Sequence, residues 1–403
     1  MHRILEGGRL AGYGAAYFFT SGAFMGYWPV WLNDRGVSDA ELGTLYMLRQ
    51  LVSVVSILAI GFLAHRVVGL RGMLLAIACA STVALGLYEF CYSFLALVLV
   101  GLLWGFISSP IMPLYDGLLV NESRSRGFVY GSLRMWSSVA FIAGTLMCGV
   151  AVDRWGPPSV LFVGWAGVLC MVPLALALPR REARIREQGI APFGLTDLLS
   201  SRPFLLFMIA CGLCGASHAV LYSFGTLTWR GAGIDDVAIS LLWGESVAVE
   251  VLLMMASGWL IQRLGVTGLI ALGAVCGVVR WTAMAFTTAL PALIVLQALH
   301  AGTFAAVHIG AMGFMQRALP ASGMALAQSV FAAIAGGAVH AVAFQLAGLL
   351  YARLGQHAFL AMAVLSAAGL IATLLLARQW KGELLVGKAD PLIGVGPKDT
   401  LAR

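Results

Sequence analysis

Charge is what this chain has least of. Of its 403 residues 11% are Asp, Glu, Lys or Arg, where soluble domains carry about 25%. Hydrophobic residues make up 60%, so too little polar surface is left to cover a globule in water. Soluble enzymes, nucleic-acid binders and secreted disulfide scaffolds are thereby excluded. Several motifs are missing as well. There is no G-x-x-x-x-G-K-[ST] to cradle phosphates, which argues against a built-in ATPase, and no H-E-x-x-H or other catalytic set. Neither enzymatic activity nor a cofactor or metal is expected. The seven cysteines lie almost entirely in apolar runs. Cys211 and Cys214 have C-x-x-C spacing without a second pair, which reads as small packing residues. The excess of 25 Lys+Arg over 18 Asp+Glu is read as membrane topology and not as a nucleic-acid footprint. The polar start, Met1 to Arg9, precedes an apolar run too long and aromatic for a cleaved signal peptide, and is expected to stay.

Long apolar runs are what the chain does have. Twelve can be read: Leu10–Leu32, Leu42–Ala64, Met73–Phe90, Phe94–Val120, Phe128–Val152, Val160–Leu178, Phe204–Trp229, Val237–Ile261, Gly268–Phe286, Leu290–Met315, Gly323–Tyr351 and Ala358–Leu376. Each suits a membrane helix of roughly 20 residues. The expected fold is therefore an all-α membrane protein of twelve helices in two pseudosymmetric six-helix halves. A first bundle spans 1–179, a linker 180–202, a second bundle 203–380 and a tail 381–403. With both termini inside, 18 Lys and Arg fall in the inner segments and 4 in the outer ones, which by the positive-inside rule makes both termini cytoplasmic. The location expected is the bacterial inner membrane.

An internal repeat supports the two halves. Gly61-Phe-Leu-Ala-His65-Arg66 matches Gly258-Trp-Leu-Ile-Gln262-Arg263 at an offset of 197, and Gly149 to Gly156 matches Gly348 to Gly355 at an offset of 199. Within each half the same G-x-x-x-x-R element recurs after 88 or 90 residues. Matched six-helix halves built from three-helix units are the plan of alternating-access transporters.

Mid-helix charge costs about 2.5–3.5 kcal/mol on insertion scales, so each case needs a reason. Asp116, Arg134, Glu250, Arg280 and His300 stand out at depth, with Arg49, His218, Glu245, His308 and His340 beside them. Arg134, at a helix start, is also placed to snorkel, and Arg49 is near enough to an end for an interfacial or structural role. Lone histidines such as His218 and His340 are most simply packing residues. Trp28, Trp31 and Trp229 read as interfacial belts. Tyr17, Phe18 and Phe19 lie deeper, where a ring can stack on an aromatic solute. Gly131, Gly144, Gly149, Gly336 and Gly337 fit close helix packing.

The layout and the Gly61–Arg71 loop resemble the major facilitator superfamily, with His65 where that family's G-x-x-x-D-R-x-G pattern has Asp. Tyr17-Phe-Phe, Tyr27-Trp-Pro-Val-Trp-Leu32, Pro113-Leu-Tyr-Asp116, Tyr130-Gly-Ser-Leu-Arg134-Met-Trp136, Gly277-Val-Val-Arg280-Trp281 and Leu299-His300-Ala-Gly-Thr303-Phe304 resemble the phenylpropionate permease group, which is similar to lactose permease. The resemblance implies proton-coupled symport of an aromatic monocarboxylate. It further implies Asp116 and Arg134 as a grip on substrate, joined by Tyr17 and Phe18, and Glu250, Arg280 and His300 as the proton-coupling group. Thr303 stands where that permease has its coupling acid, so Glu250 or Asp116 must titrate instead. A sugar or nucleoside permease is the alternative within transport, and a polytopic sensor outside it. The expected partners are a small-molecule substrate, protons and the lipid bilayer, with no nucleic acid and a monomeric chain.

Overall fold

The computed structural model describes residues 2–63, 69–126, 128, 130–178, 194–320 and 323–385. Among them there is helix and no strand. The first half holds α1 (His2–Asp34), α2 (Asp39–Leu63), α3 (Leu70–Leu87), α4 (Phe94–Ser108), α5 (Ile111–Arg126), α6 (Tyr130–Trp155) and α7 (Ser159–Ala177). The second holds α8 (Leu195–Ser200), α9 (Arg202–Ala216), α10 (Ala219–Gly231), α11 (Asp236–Met255), α12 (Ser257–Met284), α13 (Leu290–Ala298), α14 (Val307–Ala318), α15 (Met324–Ala333), α16 (Val339–Leu354) and α17 (Phe359–Gln379). Ten stretches are long and apolar enough to span a bilayer. The last of them, Met324–Gln379, has 56 residues and is broken at Gly355, so it is two crossings. α1 is less apolar because of its Gly, Tyr and Trp, yet its 33 residues extend about 50 Å. The described helices thus make twelve crossings, six in each half. Of the linker only 194–202 is described, and α8 lies in it; of the tail only 381–385 is.

The repeat has a local cause. Its copies end at Gly69, Gly156, Gly265 and Gly355, and all four have positive φ (73°, 79°, 67° and 54°). A left-handed residue stops a helix, and glycine adopts that conformation without the Cβ clash. At Gly265 the chain turns between the eighth and ninth crossings inside α12. His65 and Arg66 lie outside the described residues.

Four crossings are broken at mid-depth. The fourth parts between α4 and α5 at Ser109-Pro110, where the proline has no N–H to donate. The seventh parts at Ser217-His218, and both side chains take over carbonyls of the preceding turn: Ser217 Oγ donates to Cys214 O at 2.7 Å, and His218 Nδ1 to Gly215 O at 3.1 Å. The tenth and eleventh contain π-helical stretches, Ala301–Ala306 and Ile334–Ala338. Irregular backbone at such depth is tolerated where protein or a cavity satisfies it, and π-bulges favour functional sites.

Three buried apolar clusters fix how the halves meet. One holds Leu10, Tyr115 and Met171 and belongs to the first half alone. A second, with Phe207, Phe314 and Trp380, belongs to the second half. The third joins both, through Tyr27 and Trp31 with Phe224, Trp243 and Phe344. It lies where α1 ends and α2 begins. There α2 packs on α16 and α6 on α11, two pairs related by the pseudo-twofold. A Cβ on Gly43 would come within 2.8 Å of the Gly348 Cα, and one on Gly149 within 2.7 Å of Asp236 O. The Tyr27 hydroxyl donates to Asp236 O, and Arg230 pairs with Asp236 at 3.0 Å. Among the described residues the halves share an apolar core at one end and keep separate cores at the other.

Some sequence expectations need correction. Trp28, Trp31 and Trp229 are not belt residues; they are buried in the shared core, with Trp28 stacked on Trp31 at 4.8 Å. Indole surface is better used joining helices than facing headgroups when two halves must close on each other. Gly131 and Gly336 approach nothing closely, whereas Gly144, Gly149 and Gly337 do.

Candidate functional site

Between α1, α2, α3, α7 and the fourth crossing lies a cavity of about 390 Å³. Only Tyr222 and Phe344 line it from the second half. Its walls are aromatic: Tyr17, Phe24, Trp28, Tyr46, Trp104 and Phe344, with Tyr46 stacked on Phe344 across the halves at 5.2 Å. Hydroxyls and one amide, from Ser21, Gln50, Ser53 and Ser108 among others, supply the polar surface. Its one charged residue is Arg49, whose guanidinium lies 4.7 Å over the Trp104 ring.

The seven singled-out residues fall into two groups beside this cavity. In the first half Arg134 Nε lies 3.7 Å from Asp116 Oδ1, and the Tyr130 hydroxyl donates to the same oxygen at 3.1 Å. Both charged side chains are about a quarter to a third exposed, at 26% and 30%, so Arg134 is paired and not a headgroup anchor. Its guanidinium sits 4.1 Å over Phe18, which meets Tyr17 edge-on at 5.3 Å. Tyr17 is the member of the seven that lines the cavity.

In the second half the group is dry. Arg280 on α12 is 0% exposed. Its Nη1 donates to His300 Nδ1 at 3.1 Å and to Thr303 Oγ1 at 3.0 Å, and its Nη2 donates to Gln297 Oε1. Gln297 passes the constraint on to Leu242 O at 3.3 Å. None of these partners is an acid. Glu250 stands beyond the histidine, with His300 Nε2 3.7 Å from its Oε2.

The proton positions follow from chemistry. Arginine only donates, so His300 Nδ1 must accept and its proton resides on Nε2, facing Glu250. While Arg280 holds it, His300 is neutral. His218 Nδ1 donates to a backbone carbonyl, so its Nε2 is left to accept, and the Thr303 hydroxyl is shared between it at 3.0 Å and His300 O at 3.3 Å. Hydrogen bonds thus run from Arg280 through Thr303 to His218, while on the other side His300, bonded to Arg280, faces Glu250 at 3.7 Å, beyond hydrogen-bond distance. His218 stacks on Tyr222 at 5.4 Å, and Tyr222 reaches the cavity. Arg134 of the first half lies within electrostatic reach of Glu250 across the interface.

Sequence reading therefore found both charged groups but missed Arg49, His218, Gln297 and Tyr222 as parts of the arrangement. Gln297 sits three residues before His300, one helical turn away, and that spacing was the available signal. Among the described residues Glu245 and His340 share no hydrogen bond or ion pair with either group; His340 Nδ1 donates to Ala335 O at 2.8 Å. His308 joins only through Phe304, which stacks on His300 at 5.4 Å and on His308 at 6.3 Å. Among the described residues no three His, Cys, Asp or Glu gather as metal ligands.

The sequence profile described as "MFS_1 like family" matches residues 10–361. The chain is 31% identical to the probable 3-phenylpropionic acid transporter of Escherichia coli (strain K12) over 361 residues, 87% of this chain and 92% of that one. It is 27% identical to the maltose permease of Geobacillus stearothermophilus, over 66% of this chain and 68% of the permease. Among solved structures, the nucleoside transporter NupG superposes with a TM-score of 0.79 at 16% identity, covering 93% of this chain and 99% of that chain. A bacterial homolog of the human lysosomal transporter Spinster, in an inward-facing and unoccupied conformation, gives 0.74 at 14% identity, with 92% and 96% covered. At these identities the two structures show the fold alone.

Proposed function

The chain belongs to the MFS_1 like family, a family of multi-pass membrane transporters, and we propose on that footing that it is a proton-coupled symporter of a small aromatic monocarboxylate. The observation that carries the coupling is Arg280: a wholly buried cation held by three neutral partners, with its nearest carboxylate placed beyond His300. Burying such a charge costs several kcal/mol and rarely stabilises a fold, so it is kept for use. Glu250 is the coupling acid, His300 presents its proton to that acid, and Arg280 fixes His300 in the tautomer that does so. Asp116 and Arg134, with Tyr17 and Phe18, form the substrate's path, and Arg134 links it to Glu250 across the interface. Substrate binding and protonation at Glu250 then bias the same closure between halves. The chain works alone, in the inner membrane, with both termini and the end where the cores separate on the cytoplasmic side.

The aromatic cavity and the relative named for 3-phenylpropionic acid favour an aryl acid. The cavity's hydroxyls favour a second reading, a sugar or nucleoside permease. Uptake into proteoliposomes separates them. A phenyl-substituted alkanoate should accumulate under an inward proton gradient and stop when a protonophore collapses it, while maltose and uridine should not accumulate. Gradient-independent uptake, or accumulation of maltose or uridine alone, would overturn the proposal.

A further inference from the structure

The cavity contains one cation and, among the described residues lining it, no acid. Arg49 forms no ion pair or hydrogen bond with any described residue; its one partner is the Trp104 ring. The other two intramembrane arginines differ. Arg134 is paired with Asp116, and Arg280 has two hydrogen-bonded nitrogens and lies outside the lining. The berth of Arg49 is built. Trp104 holds the guanidinium plane, and a Cβ on the next residue, Gly105, would come within 3.2 Å of the Arg49 stem. Ser81 and Trp104 are also among the lining residues, and the Ser81 hydroxyl and the Trp104 indole nitrogen are buried beside the cavity without partners. Unpaired cations and donors in a mostly apolar pocket call for an anionic ligand rich in acceptors, and arginine suits a planar carboxylate best.

We propose that Arg49 is the seat of the substrate's carboxylate, so that the cavity takes small monocarboxylates whose apolar or aromatic tail lies among Tyr17, Tyr46, Tyr222 and Phe344. This deepens the reading above and rests on it. The acid-free lining then rejects cations, and neutral isosteres lose the interaction that orients the acid.

The test is binding to the purified full chain in nanodiscs, comparing 3-phenylpropionate with 3-phenylpropanamide at neutral pH. The wild type should hold the acid at least about tenfold more tightly than the amide, the scale of one charge-assisted bidentate contact. Arg49→Gln should abolish that preference and leave amide affinity within about twofold, while Arg49→Lys, which keeps the charge but loses the planar fork and the stack on Trp104, should retain only part of it. Should Arg49→Gln fail to fold, Ser53→Asp supplies the second variant, since it sets a carboxylate one turn from Arg49 and should weaken acid binding alone. If either well-folded variant keeps the wild-type preference, Arg49 is not the carboxylate seat, and proton-driven uptake by the wild type still supports symport. If the wild type shows no preference for the acid, the inference and the aryl-acid reading both fall.

Discussion

The two halves handle charge in opposite ways. In the second half Arg280 is sealed from solvent and tied to Gln297, His300 and Thr303. In the first half Asp116 and Arg134 touch at 3.7 Å and stay partly exposed, and Arg49 stands without an acid in a cavity. A dry, directed network resists reorganisation; a loose, half-open one accepts a visitor. On the function proposed above, that difference corresponds to proton handling in the second half and substrate handling in the first, although the folds of the two halves are related by a repeat. Arg49 and Glu250 lie on equivalent helices, α2 and α11, 201 residues apart against repeat offsets of 197 and 199. At the offset of 197 Arg49 corresponds to Ser246, so Glu250 lies one helical turn from the equivalent position, and neighbouring turns of matched helices carry the cation in one half and the acid in the other.

Several substitutions break or sharpen that contrast. Arg280→Gln is expected to have the largest effect. Hydrogen bonds to a charged group are worth about 1.5–3 kcal/mol each, so losing even two of the three that Arg280 makes should cut proton-driven accumulation by about 100-fold or more. The loss should appear in accumulation far more than in substrate affinity, measured as uptake against equilibrium binding. Thr303→Ala removes one of those bonds and the link to His218, and a fall of about tenfold in accumulation follows. Thr303→Ser keeps the hydroxyl and should stay within about twofold of the wild type; equal loss in both variants would mean that packing and not hydrogen bonding matters there. The smallest expected effect on stability is that of Asp116→Asn. A pair this exposed contributes about 0–1 kcal/mol, so thermal unfolding in detergent should barely move while substrate binding weakens. A large drop in stability would show that the first half also uses its charges to hold itself together.

Much of the fold was legible in the sequence because lipid imposes period and length together. The twelve apolar runs, the basic bias of alternate loops and the four glycine-ended repeats each follow from a constraint acting along the chain. Depth of charge was equally plain at Asp116, Arg134, Glu250, Arg280 and His300. What linear reading could not supply was direction around each helix axis. Arg49 looked as suited to an interface as to a cavity until Trp104 and Gly105 were placed beneath it. Trp28 and Trp31 have the composition of a belt, and only the packing of α1 against α6, α7 and α10, with the rings of Tyr88 and Trp104 beside them, shows them buried. His218 reads as a packing residue because its role depends on a break in the seventh crossing at Ser217-His218, of which Gly215 two residues earlier is a weak sign among many helix glycines.

The account turns on one claim, that Glu250 carries the proton and the substrate is held elsewhere. Glu250→Gln keeps shape and hydrogen bonding but cannot exchange a proton. Proteoliposomes containing this variant should be assayed with 3-phenylpropionate twice, for accumulation under an inward proton gradient and for counterflow at equal proton potential. The expected result is that accumulation disappears and counterflow survives at close to the wild-type rate. Normal accumulation by Glu250→Gln would contradict the claim and move the coupling site to Asp116 or His300.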